Sequence, residues 1–287
     1  MHDMRVIIPI QRILIVALLI LAPVCRAQNK SATPMNAIAP EVKPVDIEAA
    51  VAAICAPADI IRSNNGSSSG CKKCPVGTQF HGENMGEWEL RQVMAGHFTS
   101  ANDNNLIVDG FNCDSHSENF GGTFVFSMSA GKPRLLKYDM GLITENCHKF
   151  RYTDGREFLV CRGGWSGQGE YDGNVFLVRF DAAGKDSQTT IFRTSFTTGS
   201  CGDSSNESVR GSDIKDMKFS SKDSGELTGM TITATNGTLS CAQAKVKPAP
   251  GKEPSSMKTY EIEFLFDGKQ FTVAPASKLA LRAFPQE

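Results

Sequence analysis

The chain has no surplus of either charge. Lys and Arg number 30 against 31 Asp and Glu in 287 residues, a net charge of −1. General nucleic-acid binding needs a basic stripe or face, so this balance argues against it. A long hydrophobic run is also lacking. The N-terminal apolar segment, residues 13–22 (ILIVALLILA), is too short for a membrane span of ~20 residues. No residue pattern in the chain identifies a catalytic centre, a metal site or a cofactor. Each functional class must therefore be weighed on residues that have bland structural roles as well.

What is present begins with export. Arg5 and Arg12 precede the apolar segment, and Cys25-Arg26-Ala27 ends it on a small residue. This order is that of a secretory signal peptide over residues 1–27, cleaved after Ala27. Val24 before Cys25 departs from the small residue that a lipoprotein signal wants. Cleavage removes three Arg and one Asp, taking the net charge from −1 to −3. It also removes one of nine cysteines and leaves Cys55, Cys71, Cys74, Cys113, Cys147, Cys161, Cys201 and Cys241. An even set in an exported chain predicts disulfides and a secreted or periplasmic location.

Four segments follow from composition. Residues 28–45, rich in Ala, Pro, Ser, Asn and Lys, form a flexible tether. Residues 46–86 hold a short helix and a Cys-rich stretch. Asp46 is placed to cap the helix, which runs from Ile47 to about Ile54 on Ala and Val. Residues 64–70 (NNGSSSG) read as a loop. Residues 87–287 read as one all-β domain of short strands rich in Phe, Val and Ile, punctuated by Gly and Asp.

That domain repeats a template. Phe98 and Leu106, Phe150 and Phe158, and Phe219 and Leu227 each stand eight positions apart around a polar turn. A second hairpin follows each, turning at Gly131, Gly184 or Gly268. Self-similarity at this period predicts repeated four-stranded antiparallel meanders in units of about 95–140, 145–197 and 213–275, propeller-like or as an open array. The expected strands are 95–99, 106–109, 123–128 and 134–138, then 147–152, 157–162, 175–180 and 189–194, then 214–220, 227–234, 260–266 and 270–274.

The repeat resembles a known family. Gly96-His97-Phe98, Asn105-Leu106-Ile107-Val108-Asp109-Gly110 and Gly121-Gly122-Thr123-Phe124-Val125-Phe126 are similar to the FG-GAP repeat of integrin-α-like β-propellers. Residues 152–160 (YTDGREFLV) resemble the same repeat in degenerate form. The family's first hairpin loop often carries a D-x-D-x-D-G calcium site. Here Asn102-Asp103-Asn104-Asn105 offers one carboxylate, and Asp154 and Asp223 stand alone. Calcium wants six to eight oxygens, so these residues read as ordinary turns and no metal is expected.

Cys147 and Cys161 lie symmetrically about Asp154, and Cys201 and Cys241 about Ser221. Strands sharing a turn bring such residues opposite each other, so both pairs are expected as disulfides. Cys55, Cys71, Cys74 and Cys113 supply two more, with the pairing open. Cys71-Lys72-Lys73-Cys74 is a C-x-x-C, but Pro75 follows it and a Gly/Ser loop precedes it, unlike a redox dithiol that opens a helix.

Two loops, 111–122 and 163–173, occupy equivalent repeat positions and should project on one face. Trp165, Tyr171 and Phe120 are its candidate aromatic contacts, with Asp114, Glu118, Glu170 and Asp172 as polar contacts. The expected function is a secreted, disulfide-stabilised, non-enzymatic binding protein for a protein or glycan ligand, with homodimerisation left open. Two alternatives stand beside it. One is a secreted hydrolase using the loop Cys113-Asp114-Ser115-His116-Ser117-Glu118, and the other is a structural envelope protein.

Overall fold

The computed structural model describes residues 42–285, apart from 79–81, 84–85, 114–121, 129–131, 143, 145, 168, 182–186, 198–200, 202–206, 224, 245–253 and 255. All of these fall in one compact unit, and the expected signal peptide and most of the tether lie outside them.

The all-β expectation holds, with antiparallel meanders and a short N-terminal helix. The first sheet runs in order through β1 (Ile60–Arg62), β2 (Ser68–Cys71), β3 (Trp88–Gly96), β4 (Asn105–Phe111), β5 (Thr123–Ser127) and β6 (Arg134–Asp139). The second runs through β7 (Cys147–Arg151), β8 (Glu157–Gly167), β9 (Glu170–Arg179), β10 (Ser187–Thr197), β11 (Ser208–Ser221), β12 (Leu227–Ser240), β13 (Met257–Phe266) and β14 (Phe271–Val273). Within each sheet every strand pairs with its sequence neighbours, so both are antiparallel meanders, and the chain passes from one sheet to the other between β6 and β7. Eleven of the twelve expected strands are present close to their expected positions, whereas the first, expected over 95–99, lies earlier as Trp88–Gly96. The second and third units are not separate, however. They join through a single ladder pair, Phe196 with Gly211. Beside it the Ser212 hydroxyl accepts from Ser195 N–H at 2.8 Å and donates to Ser195 C=O at 3.0 Å, replacing ladder bonds.

Helix α1 (Pro44–Ile54) differs from expectation at its start. Pro44 opens it, and Asp46 lies in the first turn without a capping bond. Proline fits there because its missing N–H has no helical partner in any case. Ala50, Val51 and Ile54 share one face and pack with Trp88, Leu106, Val108, Phe124 and Phe126 of the first sheet. Ser68-Ser69-Gly70, expected in a loop, instead forms β2. The Glu48 carboxylate of α1 holds it by accepting from the Ser68 N–H and, at 2.7 Å, from its hydroxyl. Those bonds keep the carboxyl below its usual pKa, with the Ser68 hydroxyl the largest cause.

The sheets pack face to face. Phe98, Ile107 and Val125 of the first region meet Leu159, Cys161, Phe176 and Val178 of the second sheet. Buried Glu157 ties them further. It accepts from His97 N–H at 2.8 Å, its own N–H donates to His97 C=O at 2.8 Å, and Lys149 and Arg151 flank its carboxylate. The opposite face of the second sheet curls over on itself. Phe150 of β7 meets Phe219 of β11 at 4.7 Å, and Phe158 of β8 meets Phe266 of β13 at 5.2 Å. Bulges between Thr190 and Phe192 and between Ile214 and Asp216 give the sheet its bends. The roll does not close, since β7 and β14 are not bonded to each other.

The three template phenylalanines are therefore not equivalent. All are buried, but Phe98 lies just beyond β3, between the sheets, whereas Phe150 and Phe219 touch each other inside the roll. Asn105 explains the difference. Its side-chain oxygen accepts from Phe98 N–H at 3.0 Å and Thr99 N–H at 2.9 Å, holding that segment out of the ladder.

Candidate ligand-binding cleft

One end of the roll carries the chemistry. Alternation along β8 sends Phe158 and Val160 into the roll, so Arg162 and Gly164 line its mouth on the same face. Tyr171 on β9 and His148 on β7 face the same way. On the far side β11 contributes Lys215, Asp216 and Met217. The result is a cleft of about 820 Å³. A C-terminal segment of the same chain covers the neighbouring half of the mouth. After α3 (Lys278–Leu281), Phe284 packs on Phe192 at 4.9 Å and Tyr260 at 5.4 Å. Arg210 donates to Ala283 C=O at 3.0 Å, and Asn236 donates to the same oxygen. The smaller cavity there, about 470 Å³, is walled partly by this tail.

Arg162 is the cleft's best-positioned donor. The bulge at β11 takes Lys215 out of register. Arg162 Nη2 crosses the mouth and donates to Ile214 C=O, beside that bulge, at 2.6 Å. Asp213 lies 3.6 Å from the same nitrogen and 3.1 Å from Lys215 Nζ. A guanidinium fixed in this way is pre-organised for a planar acceptor such as a carboxylate. His148 stacks on Phe219 at 4.7 Å, and burial pushes its pKa below the ordinary value, so its neutral form is favoured. Tyr171 lies over a paired Gly164 and Gly173: a Cβ on Gly164 would sit 3.3 Å from the Tyr171 hydroxyl and 2.6 Å from Asp172 C=O. Glycine is needed there for that close approach.

The expected binding face is thus changed in form. Residues 163–173 are not a projecting loop but the ends of β8 and β9, joined by a tight turn at Gly169, φ +80°. Glycine did not break the strand, because the close approach of β9 requires it. Of the residues singled out, Tyr171 lines the cleft. Glu170 is exposed at the start of β9, opposite Gly167. Asp172 lies on the other face of β9, ion-paired with Arg193. Trp165 belongs to β8 and pairs with Asp172, and its side chain lies outside the described set. So do Phe120, Asp114 and Glu118. His148, Arg162 and Lys215 were not marked by any sequence signal. They converge from three strands only because the sheet rolls.

All eight described cysteines form disulfides. Cys147 with Cys161 and Cys201 with Cys241 are bonded as expected, and Cys55 pairs with Cys71 and Cys74 with Cys113. Cys71 and Cys74 have separate partners, so the C-x-x-C is not a redox dithiol. Cys113 has no thiol to act as a nucleophile, and residues 114–118 of the same loop lie outside the described residues. Among the described residues no cluster of His, Cys, Asp and Glu could hold a metal, and no helix is long and apolar enough to cross a membrane. Among the described residues no carboxylate, hydroxyl or thiol is hydrogen-bonded to His148 in the cleft. No protein-family model, curated protein or solved structure matches the chain.

Proposed function

We propose that this is an exported binding protein whose ligand occupies the open mouth of the rolled second sheet. The observation that carries the reading is Arg162, held across the mouth by Ile214 C=O at 2.6 Å above a packed aromatic floor. Ligand clefts combine apolar walls with a few convergent polar groups. Tyr171 and Met217 supply the first here, and Arg162, His148 and Asp216 the second. The four disulfides suit an oxidising compartment, which supports a secreted or periplasmic location. Kinship with FG-GAP repeats belongs to the same proposal. It is supported by the antiparallel hairpins at each of the three template turns.

The test is a binding screen of the disulfide-bonded protein against arrayed glycans and linear peptides. Ligands retained by the wild type should lose about tenfold or more in affinity with Arg162→Ala, a value in the range for truncating a central charged contact. Retained ligands that tolerate both Arg162→Ala and Tyr171→Ala would place binding elsewhere.

A further inference from the structure

The outermost strands of these two sheets are guarded. β1 and β14 are three residues long. β6 carries Arg134 and Lys137, and β7 carries His148, Lys149 and Arg151. Short edges and edge cations are common defences against pairing with another chain. An inner stretch without such guards is the second half of β8. β9 pairs with β8 from Leu159 to Gly167, whereas β7 covers it only from Glu157 to Cys161. Asn146 C=O accepts from Arg162 N–H at 3.2 Å, and Asn146, at φ +51°, lies at the turn into β7. No described strand lies along β8 beyond that point.

Strand alternation identifies the backbone groups on that side. Arg162 N–H faces the β7 side, so Gly164 and Ser166 direct their N–H and C=O groups the same way, away from β9. Gly163-Gly164-Trp165-Ser166-Gly167 contains no charge and no proline. Gly163 and Gly164 also line the cleft.

We propose that this edge accepts an extended peptide as an added strand, with a carboxylate near the peptide's C-terminal end meeting Arg162. The proposal rests on the cleft being the ligand site. Backbone donors and acceptors on alternate residues match another polypeptide strand, whereas a sugar has no row of amides to offer. Every strand pair in this sheet is antiparallel. A peptide continuing the line of β7 in that sense runs from opposite Gly167 toward Arg162, so its C-terminal end arrives at the guanidinium. Nη2 is engaged by Ile214, while Nε and Nη1 have no partner among the described residues and suit a carboxylate.

The experiment selects linear peptides from a phage-displayed library on the full disulfide-bonded protein. Amide hydrogen exchange at Gly164 and Ser166 is then read with a selected synthetic peptide. Both amides should exchange at least about tenfold more slowly in the complex, in line with burial in a ladder. Ser166→Pro should weaken binding about tenfold or more and Ser166→Ala should not, since proline is tolerated where the N–H faces away from the sheet. If Ser166→Pro does not fold, N-methylation of the peptide amides facing β8 makes the same cut from the ligand's side. Replacing the peptide's carboxylate by an amide should weaken binding to wild type but not further weaken binding to Arg162→Ala. Peptides or glycans that need Arg162, yet protect neither amide and ignore Ser166→Pro, keep the cleft as a ligand site and overturn the added strand. Absence of any peptide dependent on Arg162 or on the edge overturns both. A dimer that Ser166→Pro dissolves assigns the edge to a second copy and overturns the peptide.

Discussion

The two sheets solve the same problem by different means. The first has six strands and one helix, and two disulfides, Cys55 with Cys71 and Cys74 with Cys113, lie within its helix-side core. The second has eight strands and rolls until its own aromatics meet, with Phe150, Phe158, Phe192, Phe219 and Phe264 in one cluster. A small layer that cannot enclose itself is covered by a helix, and its cross-links lie in that helix-side core. A large sheet encloses its core by curvature, and curvature leaves a mouth. The candidate site lies at that mouth because rolling brings β7, β8 and β11 together.

Cutting into the rolled core should produce the largest effect. Phe158 is fully buried and touches Phe150, Tyr152 and Phe266. Phe158→Ala should cost about 3–5 kcal/mol, measured by chemical denaturation. Both sheets carry one long-loop and one short-loop disulfide, so their costs should follow loop length rather than sheet. Opening the bond between Cys74 and Cys113, 39 residues apart, should cost about 4 kcal/mol in the loop-entropy picture. The bond between Cys147 and Cys161, 14 apart, should cost about 3 kcal/mol. Paired Cys→Ala variants measured in the same denaturant test that order, and a reversed order would mean that loop length does not set what these staples contribute.

Glu157 tests the tie between the sheets. Glu157→Gln removes the charge that offsets buried Lys149, whose pKa burial already lowers and Glu157 partly restores. A broken pair of this burial should cost about 3 kcal/mol. The smallest effect belongs to the mouth. His148 has its folded-state pKa lowered by burial, so the unfolded chain takes up its proton first. Its stabilising contribution is complete above the unfolded value of about 6.5 and is lost as pH falls below it toward the folded pKa. His148→Phe keeps the stack on Phe219 and should shrink the melting-temperature drop between about pH 7.5 and 5.5 by about 2 °C.

Local patterns carried the fold far. Gly and Asp turns between Phe- and Val-rich runs marked the eleven strands from β4 to β14, and symmetric spacing about Asp154 and Ser221 marked two disulfides. Cys147 and Cys161 sit directly opposite each other in the ladder, 4.0 Å apart at Cα, as such spacing requires. What was not legible depends on distant partners. Ser68-Ser69-Gly70 has little strand preference of its own and pairs because Glu48 and β3 hold it. Gly163 and Gly164 read as a loop until Asp172 and Tyr171 show why glycine is needed. Arg162 and Ile214 are 52 positions apart, and only the bulge beside Ile214 gives the guanidinium a carbonyl to hold.

The most direct test of the central claim is nuclear magnetic resonance shift mapping of the isotope-labelled protein with a peptide or glycan retained in the binding screen. Shifts should concentrate on His148, Arg162, Gly163, Gly164, Tyr171 and Met217, around the mouth of the second sheet. Shifts centred instead on α1 or on the strands of the first sheet, with those six unmoved, would contradict it.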